Sequence, residues 1–91
     1  METIKCCQIT LQTADDEVVS RFSIMQQAYK TGIKGFVKRK SSTSLLIEAE
    51  CTEDKLAAFI DWCRQGSEYI KTKKMEVVDS DIKNYTSFDI I

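Results

Sequence analysis

The sequence contains no histidine and no proline, and its longest unbroken apolar run is the five residues from Leu56 to Ile60. Its four cysteines, at positions 6, 7, 51 and 63, form no C-x-x-C pair and no zinc-finger spacing. Each absence removes a class of function. Without an imidazole there is no Ser/His/Asp or Cys/His nucleophile pair, and the commonest metal ligand is missing. A run of five apolar residues falls far short of the ~20 that span a bilayer. The opening residues 1–11 lack the apolar stretch of ~7–15 residues that a secretory signal requires. A cytoplasmic chain with no membrane contact is therefore expected. Cys6 and Cys7 are neighbours, and on an extended strand neighbours point to opposite faces, so they cannot easily share a metal or bridge each other. Together with Cys51 and Cys63 they are expected as buried or half-buried free thiols, with no metal and no cofactor.

The 91 residues, 43% apolar and 30% charged, suit one small globular domain over 1–91. Thirteen basic against fourteen acidic side chains leave a net charge of -1, so no global field draws the chain to nucleic acid or an anionic membrane. Any charge effect must be local.

Periodicity supplies the element order. Residues 4–11 read as a strand with Cys7, Ile9 and Leu11 on one side and Cys6, Gln8 and Thr10 on the other. Over 18–29, the residues Val18, Phe22, Met25 and Tyr29 fall within about 60° of arc and predict the apolar stripe of a helix that stops at Gly32. Residues 35–40 and 45–51 alternate as two strands joined by Ser41, Ser42 and Thr43 into a hairpin. Thr52, followed by Glu53 and Asp54, marks a helix start with a hydroxyl cap. Leu56, Phe59, Ile60 and Cys63 share one face of that helix, Trp62 flanks it and Gly66 ends it. A fourth strand is expected over 69–78, and a short closing strand over 88–91 follows the polar connection 79–85. The order βαββαβ, with two helices that each own one apolar stripe, predicts an α+β ferredoxin-like two-layer sandwich: an antiparallel sheet with both helices on one face.

That fold hosts many functions, and two of them lack their residues here. A metal carrier would need a cysteine pair between the first strand and the first helix, where the chain has Gln12, Thr13, Ala14, Asp15, Asp16 and Glu17. An RNA binder would need aromatic rings on its central strands for bases to stack on, and the first and third strands have none. The basic residues Lys34, Lys38, Arg39 and Lys40, with Lys71, Lys73 and Lys74, read as a solvated edge rather than a nucleic-acid patch.

One stretch carries more information. Ala28-x-x-x-Gly32-Ile33-x-Gly35-Phe36-Val37-Lys38 resembles the acylphosphatase pattern A-x-x-x-G-[ILV]-x-G-[WFY]-V-[KR]-N. Thr52-Glu53-Asp54-Lys55-Leu56, with Phe59, Trp62 and Gly66, resembles the start and stop of that family's second helix, and Phe88-Asp89-Ile90 resembles its F-x-I ending. The resemblance covers nearly the whole chain. It implies the acylphosphatase fold and hydrolysis of acyl phosphates without metal or covalent intermediate. In that family the loop G-R-V-Q-G-V-x-[FY]-R wraps the phosphate in backbone amides, its arginine binds the anion, and an asparagine on the second strand positions water. Counting back from Gly32 without gaps places Arg21 on the family's arginine, Thr13 and Glu17 on the two glycines, and Arg39 on the asparagine.

The loop Thr13, Ala14, Asp15, Asp16, Glu17 and Val18 thus departs from the pattern in a way that matters physically. Glycine permits backbone angles and a close ligand approach that a side chain hinders. A carboxylate about 6 Å from a bound phosphate costs roughly 3 kcal/mol at an effective dielectric near 20, about a hundredfold in affinity. Pairing with Asp16 or Glu17 is expected to compete for Arg21. Arg39 is donor-only and cannot accept a hydrogen bond from water as an amide oxygen can. The first expectation is therefore an acylphosphatase-like domain with an overwritten phosphate cradle, catalytically impaired and acting by binding. The alternative is an active acylphosphatase that works through Arg21 and loop amides. On the first reading the ligand is a partner or a cation at the acidic loop, and on the alternative it is a small acyl phosphate, phosphate or sulfate anion; a protein partner is not identifiable from sequence.

Overall fold

The structure, a computed structural model, describes residues 3–14, 18–66 and 70–91. The elements follow the expected order: β1 (Ile4–Thr13), α1 (Val18–Thr31), β2 (Lys34–Ser41), β3 (Ser44–Thr52), α2 (Glu53–Gln65), β4 (Thr72–Ser80) and β5 (Phe88–Ile90). They build a ferredoxin-like α+β sandwich whose five-stranded sheet runs β4-β1-β3-β2-β5. Neighbouring strands among the first four are antiparallel, but β5 lies parallel to β2, with Gly35 opposite Phe88 and Val37 opposite Ile90. The sheet is thus mixed, where a purely antiparallel one was expected. The reason is topological: the chain leaves β4 at the end of the sheet where β2 begins, and enters the far edge running alongside it.

Between sheet and helices lies the core of Cys7, Ile9, Leu11, Val37, Leu45, Ile47 and Ala49 from the strands, with Ile24, Ala28, Leu56, Phe59 and Cys63 from the helices and Phe88 from β5. Phe59 holds it together from the middle, edge-on to Phe88 at 6.4 Å and stacked on Trp62 at 6.1 Å between centroids. Two glycines have geometric reasons. Gly32 ends α1 at φ 76°, a conformation open to glycine without strain. At Gly35, φ is 140° and an added Cβ would stand 1.8 Å from the Glu48 carbonyl oxygen, so β2 can pair this closely with β3 only without a side chain there.

Three expectations need correction. The buried face of α1 is Ser20, Ile24 and Ala28, and Phe22 and Tyr29 are 50% and 56% exposed. The helix is turned by about a third of a turn from the expected stripe, at 100° per residue. Small residues let the helix approach the sheet closely, and a reading that ranks residues by apolar bulk selects the wrong side. Thr52 does precede α2 in an extended conformation, but its hydroxyl makes no capping hydrogen bond to the helix. It turns instead to Asp54, whose carboxyl is held below its ordinary value first by this bond, while the amide of Glu53 donates to the Thr3 carbonyl. Finally β4 runs Thr72–Ser80, later than expected; Tyr69 lies outside the described residues.

Candidate functional site

Antiparallel registers decide which residues meet at one end of the sheet. Leu11 faces Leu45 and Leu45 faces Arg39, so the end of β1, the start of β3 and the end of β2 lie in one row. Gln12 faces Lys74 and Thr13 faces Thr72, which brings the start of β4 to the same end. Here β1 passes through Thr13 and Ala14 towards α1, whose first residue is Val18. The sequence-selected residues Thr13, Ala14, Val18, Arg21 and Arg39 therefore share one end of the molecule. Asp15, Asp16 and Glu17, selected for the same loop, lie outside the described residues, and with them the expected pairing of Arg21 to Asp16 or Glu17.

Thr13 is buried, and its amide donates to the Thr43 carbonyl at 2.8 Å; the amide of Ala14 donates to the Lys71 carbonyl at 3.2 Å. These two donors tie the start of the loop to both neighbouring strands. Arg39 is exposed, and its Nε donates to the Ser41 carbonyl at 3.4 Å. It shares with Val37 the helix-facing side of β2 by strand alternation. The basic residues read as a solvated edge are not spread evenly. Arg39 and Lys40 at the end of β2, and Lys71, Lys73 and Lys74 at or before the start of β4, all fall at this end, and each is exposed.

Arg21, in the first turn of α1, is half-buried, and its Nε is fully enclosed yet meets no hydrogen-bond partner among the described residues. An enclosed guanidinium N–H without an acceptor costs free energy, of order 1–3 kcal/mol. Protein structures rarely tolerate this without a ligand or a function to account for it. Beside Arg21 opens a depression of about 340 Å³ walled by Phe22 and Met25 of α1 and Ile90 of β5.

On the opposite face of the sheet stands a second polar cluster, which sequence reasoning missed. Glu48 and Glu50 of β3 are 3% and 5% exposed, beneath the connection from β4 to β5. Glu50 accepts three consecutive backbone N–H groups: Lys83 at 2.7 Å, Asn84 at 3.3 Å and Tyr85 at 3.0 Å. Asn84, at φ 59°, supplies the left-handed turn. Glu48 pairs with the Lys83 ammonium and accepts from Ser80 Oγ at 3.2 Å and Cys6 Sγ at 3.5 Å. Burial works to raise the Glu48 carboxyl, but hydrogen bonds from Lys83 and Tyr85 outweigh it and hold the group below its ordinary value. The Tyr85 ring closes the cluster edge-on to Phe36 at 6.2 Å. A trace of this was visible in the alternation of Glu48 and Glu50 with a core-facing set; what was not visible was that the connection 81–87 would cover them.

The buried thiols offer no nucleophile. All four are free and three are buried. Burial pushes Cys6 and Cys7 up to about 11 and Cys63 up to about 12, so they stay protonated at neutral pH. Among the described residues no helix is long and apolar enough to cross a membrane.

Comparison with known proteins agrees with this architecture. The family model for acylphosphatase matches residues 16–90. The chain is 34% identical over 71 residues to an acylphosphatase from Lactiplantibacillus plantarum, covering 77% of this chain and 79% of that one. It is 36% identical over 59 residues to an acylphosphatase from Actinobacillus succinogenes, covering 65% of this chain and 66% of that one, just under two thirds of the relative's length. The structure of an acylphosphatase from Coxiella burnetii superposes with a TM-score of 0.89 over 97% of this chain and 93% of that one, at 18% identity, a likeness of fold. By the extent of the family match and the arrangement of strands and helices, the chain belongs to the acylphosphatase family.

Proposed function

We propose that this chain hydrolyses acyl phosphates to a carboxylate and inorganic phosphate at the Arg21 end of the sheet. The observation that carries the reading is the enclosed, unpartnered Nε of Arg21, at the position where the family's arginine is expected. A phosphate oxygen would satisfy it with a charge-assisted hydrogen bond. The exposed Arg39, Lys40, Lys71, Lys73 and Lys74 raise the local potential for an anion and oppose the charges of Asp15, Asp16 and Glu17. Relatives named acylphosphatase, at 34% and 36% identity, support the active enzyme over the impaired domain that the sequence favours.

The chemistry suits a chain without histidine. Water attacks phosphorus in line with the acyl oxygen, the P–O bond breaks, and both electrons leave with the carboxylate. A carboxylate is a stable anion near pH 7, since its pKa lies near 4, so the leaving group needs no proton donor. The attacking water gives its proton to the phosphate or to solvent. What the protein must supply is position and positive charge around the phosphoryl oxygens, the dominant contribution in such transfers. In this reading Arg21 binds the phosphoryl group and Arg39 adds a second positive charge without orienting water as an asparagine would.

One observation favours the second reading, a binding domain. The amides of Thr13 and Ala14 are already engaged by carbonyl acceptors and are not open to an anion. Steady-state hydrolysis of benzoyl phosphate by the purified chain separates the two. Turnover reduced at least about a hundredfold by Arg21→Ala is expected; absent turnover, or turnover indifferent to the substitution, would return the chain to the binding reading.

A further inference from the structure

The two edges of the sheet are not alike. On one side β5 has only three residues, Phe88–Ile90, and so short a strand gives an incoming strand little to pair with. On the other, β4 runs for nine residues, Thr72–Ser80, and among the described residues it pairs with β1 alone. Its outward row of backbone N–H and C=O groups is therefore open to a further strand. From Lys74 onward the register with β1 sorts the side chains, because residues directly opposite share a face. Lys74, Glu76 and Val78 lie on the outer face with Gln12, Thr10 and Gln8; Met75, Val77 and Asp79 lie on the helix side with Leu11, Ile9 and Cys7. Val77 and Val78 are 38% and 61% exposed, so two neighbouring apolar residues of the open edge meet solvent.

The charges of this edge are sorted along the strand. Lys71, Lys73 and Lys74 precede Met75, whereas Glu76, Asp79 and Asp81 follow it, and all six are exposed. Lys74 and Glu76 approach each other only to 3.9 Å, with both side chains open to solvent. An edge guarded by charge of one sign repels a copy of itself in either direction. A strand basic in its first half and acidic in its second repels a copy laid parallel and attracts one laid antiparallel. A dyad perpendicular to the sheet produces the antiparallel arrangement, joins two five-stranded sheets into one and keeps the helices of both copies on one side. The helix that packs on β4 is α2. Between the two lies a depression of about 190 Å³ walled in part by Leu56, Ala57 and Ile60 of α2 and Val77 of β4, so apolar surface is left to cover on that side of the seam as well.

We propose that β4 is a self-association edge: two copies of the chain pair antiparallel through it, the basic half of each strand beside the acidic half of the other. The proposal needs neither Arg21 nor turnover.

Sedimentation equilibrium of the purified chain at low salt is expected to show the mass rising from one chain towards two between about 1 μM and about 1 mM, and the association weakening at high salt. Lys73→Glu with Lys74→Glu makes the strand acidic throughout, and Glu76→Lys with Asp79→Lys makes it basic throughout. Each double variant alone should associate at least about tenfold more weakly, whereas an equimolar mixture of the two should recover the association as a heterodimer. A chain that stays monomeric at the highest concentration would overturn the proposal. So would association unmoved by both double variants, or weakened by both and not recovered on mixing. Hydrogen exchange of the unmodified chain locates the contact without any substitution. Amides within 74–80 should exchange more slowly as concentration rises while those of β5 do not change; slowing at β5 instead of β4, or at neither, counts against the β4 edge.

Discussion

The two faces of the sheet treat buried charge in opposite ways. On the outer face Glu50 is enclosed with three N–H donors on its oxygens, and Glu48 with an ammonium, a hydroxyl and a thiol. On the helix side, at the far end, Arg21 is half-buried with its Nε enclosed and without an acceptor. Both arrangements remove charged atoms from water. The first replaces each lost hydration contact with a protein contact and so fastens a long connection to the sheet. The second leaves one N–H without a replacement among the described residues, the place that the proposed function assigns to a phosphate oxygen. Satisfaction of the polar atoms, more than burial, distinguishes a structural cluster from a candidate site.

Substitutions can break this contrast. Glu50→Ala removes the acceptor of three amides together and should lower unfolding free energy by about 3 kcal/mol, read from the urea midpoint; an unchanged midpoint would mean that the connection is not held by this residue. Arg21→Ala should behave conversely. Hydrolysis falls about a hundredfold, or about 2.7 kcal/mol of transition-state stabilisation, while the urea midpoint stays level or rises because an unsatisfied donor is gone. A large loss of stability would show Arg21 to be a structural residue.

The pH dependence of stability probes the outer cluster more gently. Glu48 has its carboxyl lowered in the folded chain, so its contribution is present above the ordinary carboxylate value and is lost as pH falls through the folded value. Thermal melts should therefore drop on acidification below about pH 4.5, and Glu48→Gln should flatten that drop. Towards alkaline pH the thiols act in the other sense. Cys6 and Cys7 are raised from 9.0 to about 11 by burial, so stability is fully present below pH 9 and declines as pH rises towards 11, and Cys7→Ala should lessen the decline. The smallest effect belongs to an exposed pair. Lys5 and Glu53 approach to 3.4 Å with both side chains more than half exposed, and Lys5→Ala should change stability by no more than about 0.5 kcal/mol.

Much of the fold was legible because it depends on near-neighbour chemistry. Gly32 and Gly66 sit at the helix stops expected from their freedom at positive φ, and the hairpin of β2 and β3 turns where the serines and threonine predict. The alternation of Cys7, Ile9 and Leu11 matches the core. The face of α1 was not legible, because Phe22, Met25 and Tyr29 outweigh Ser20 and Ala28 on any scale of apolar bulk, whereas packing on a sheet favours the small side chains. The candidate site divides in the same way. The family resemblance, counted back from Gly32, selected Arg21 and Arg39, but it did not show that the Arg21 Nε would lack an acceptor or that the amides of Thr13 and Ala14 would be taken by Thr43 and Lys71.

By itself, then, the order of residues determined the two helices, the four antiparallel strands and the positions that carry the family pattern, since hydrophobic period, turn chemistry and spacing act over a few residues. Tertiary structure decided which atoms are satisfied. Glu50 meets the amides of a segment more than thirty residues away, and Ile90 reaches Arg21 only because β5 crosses to the far edge of the sheet. Hydrogen-bond partners and cavity walls are set by register and topology, which bring distant segments within a few ångströms and leave no local trace in the chain.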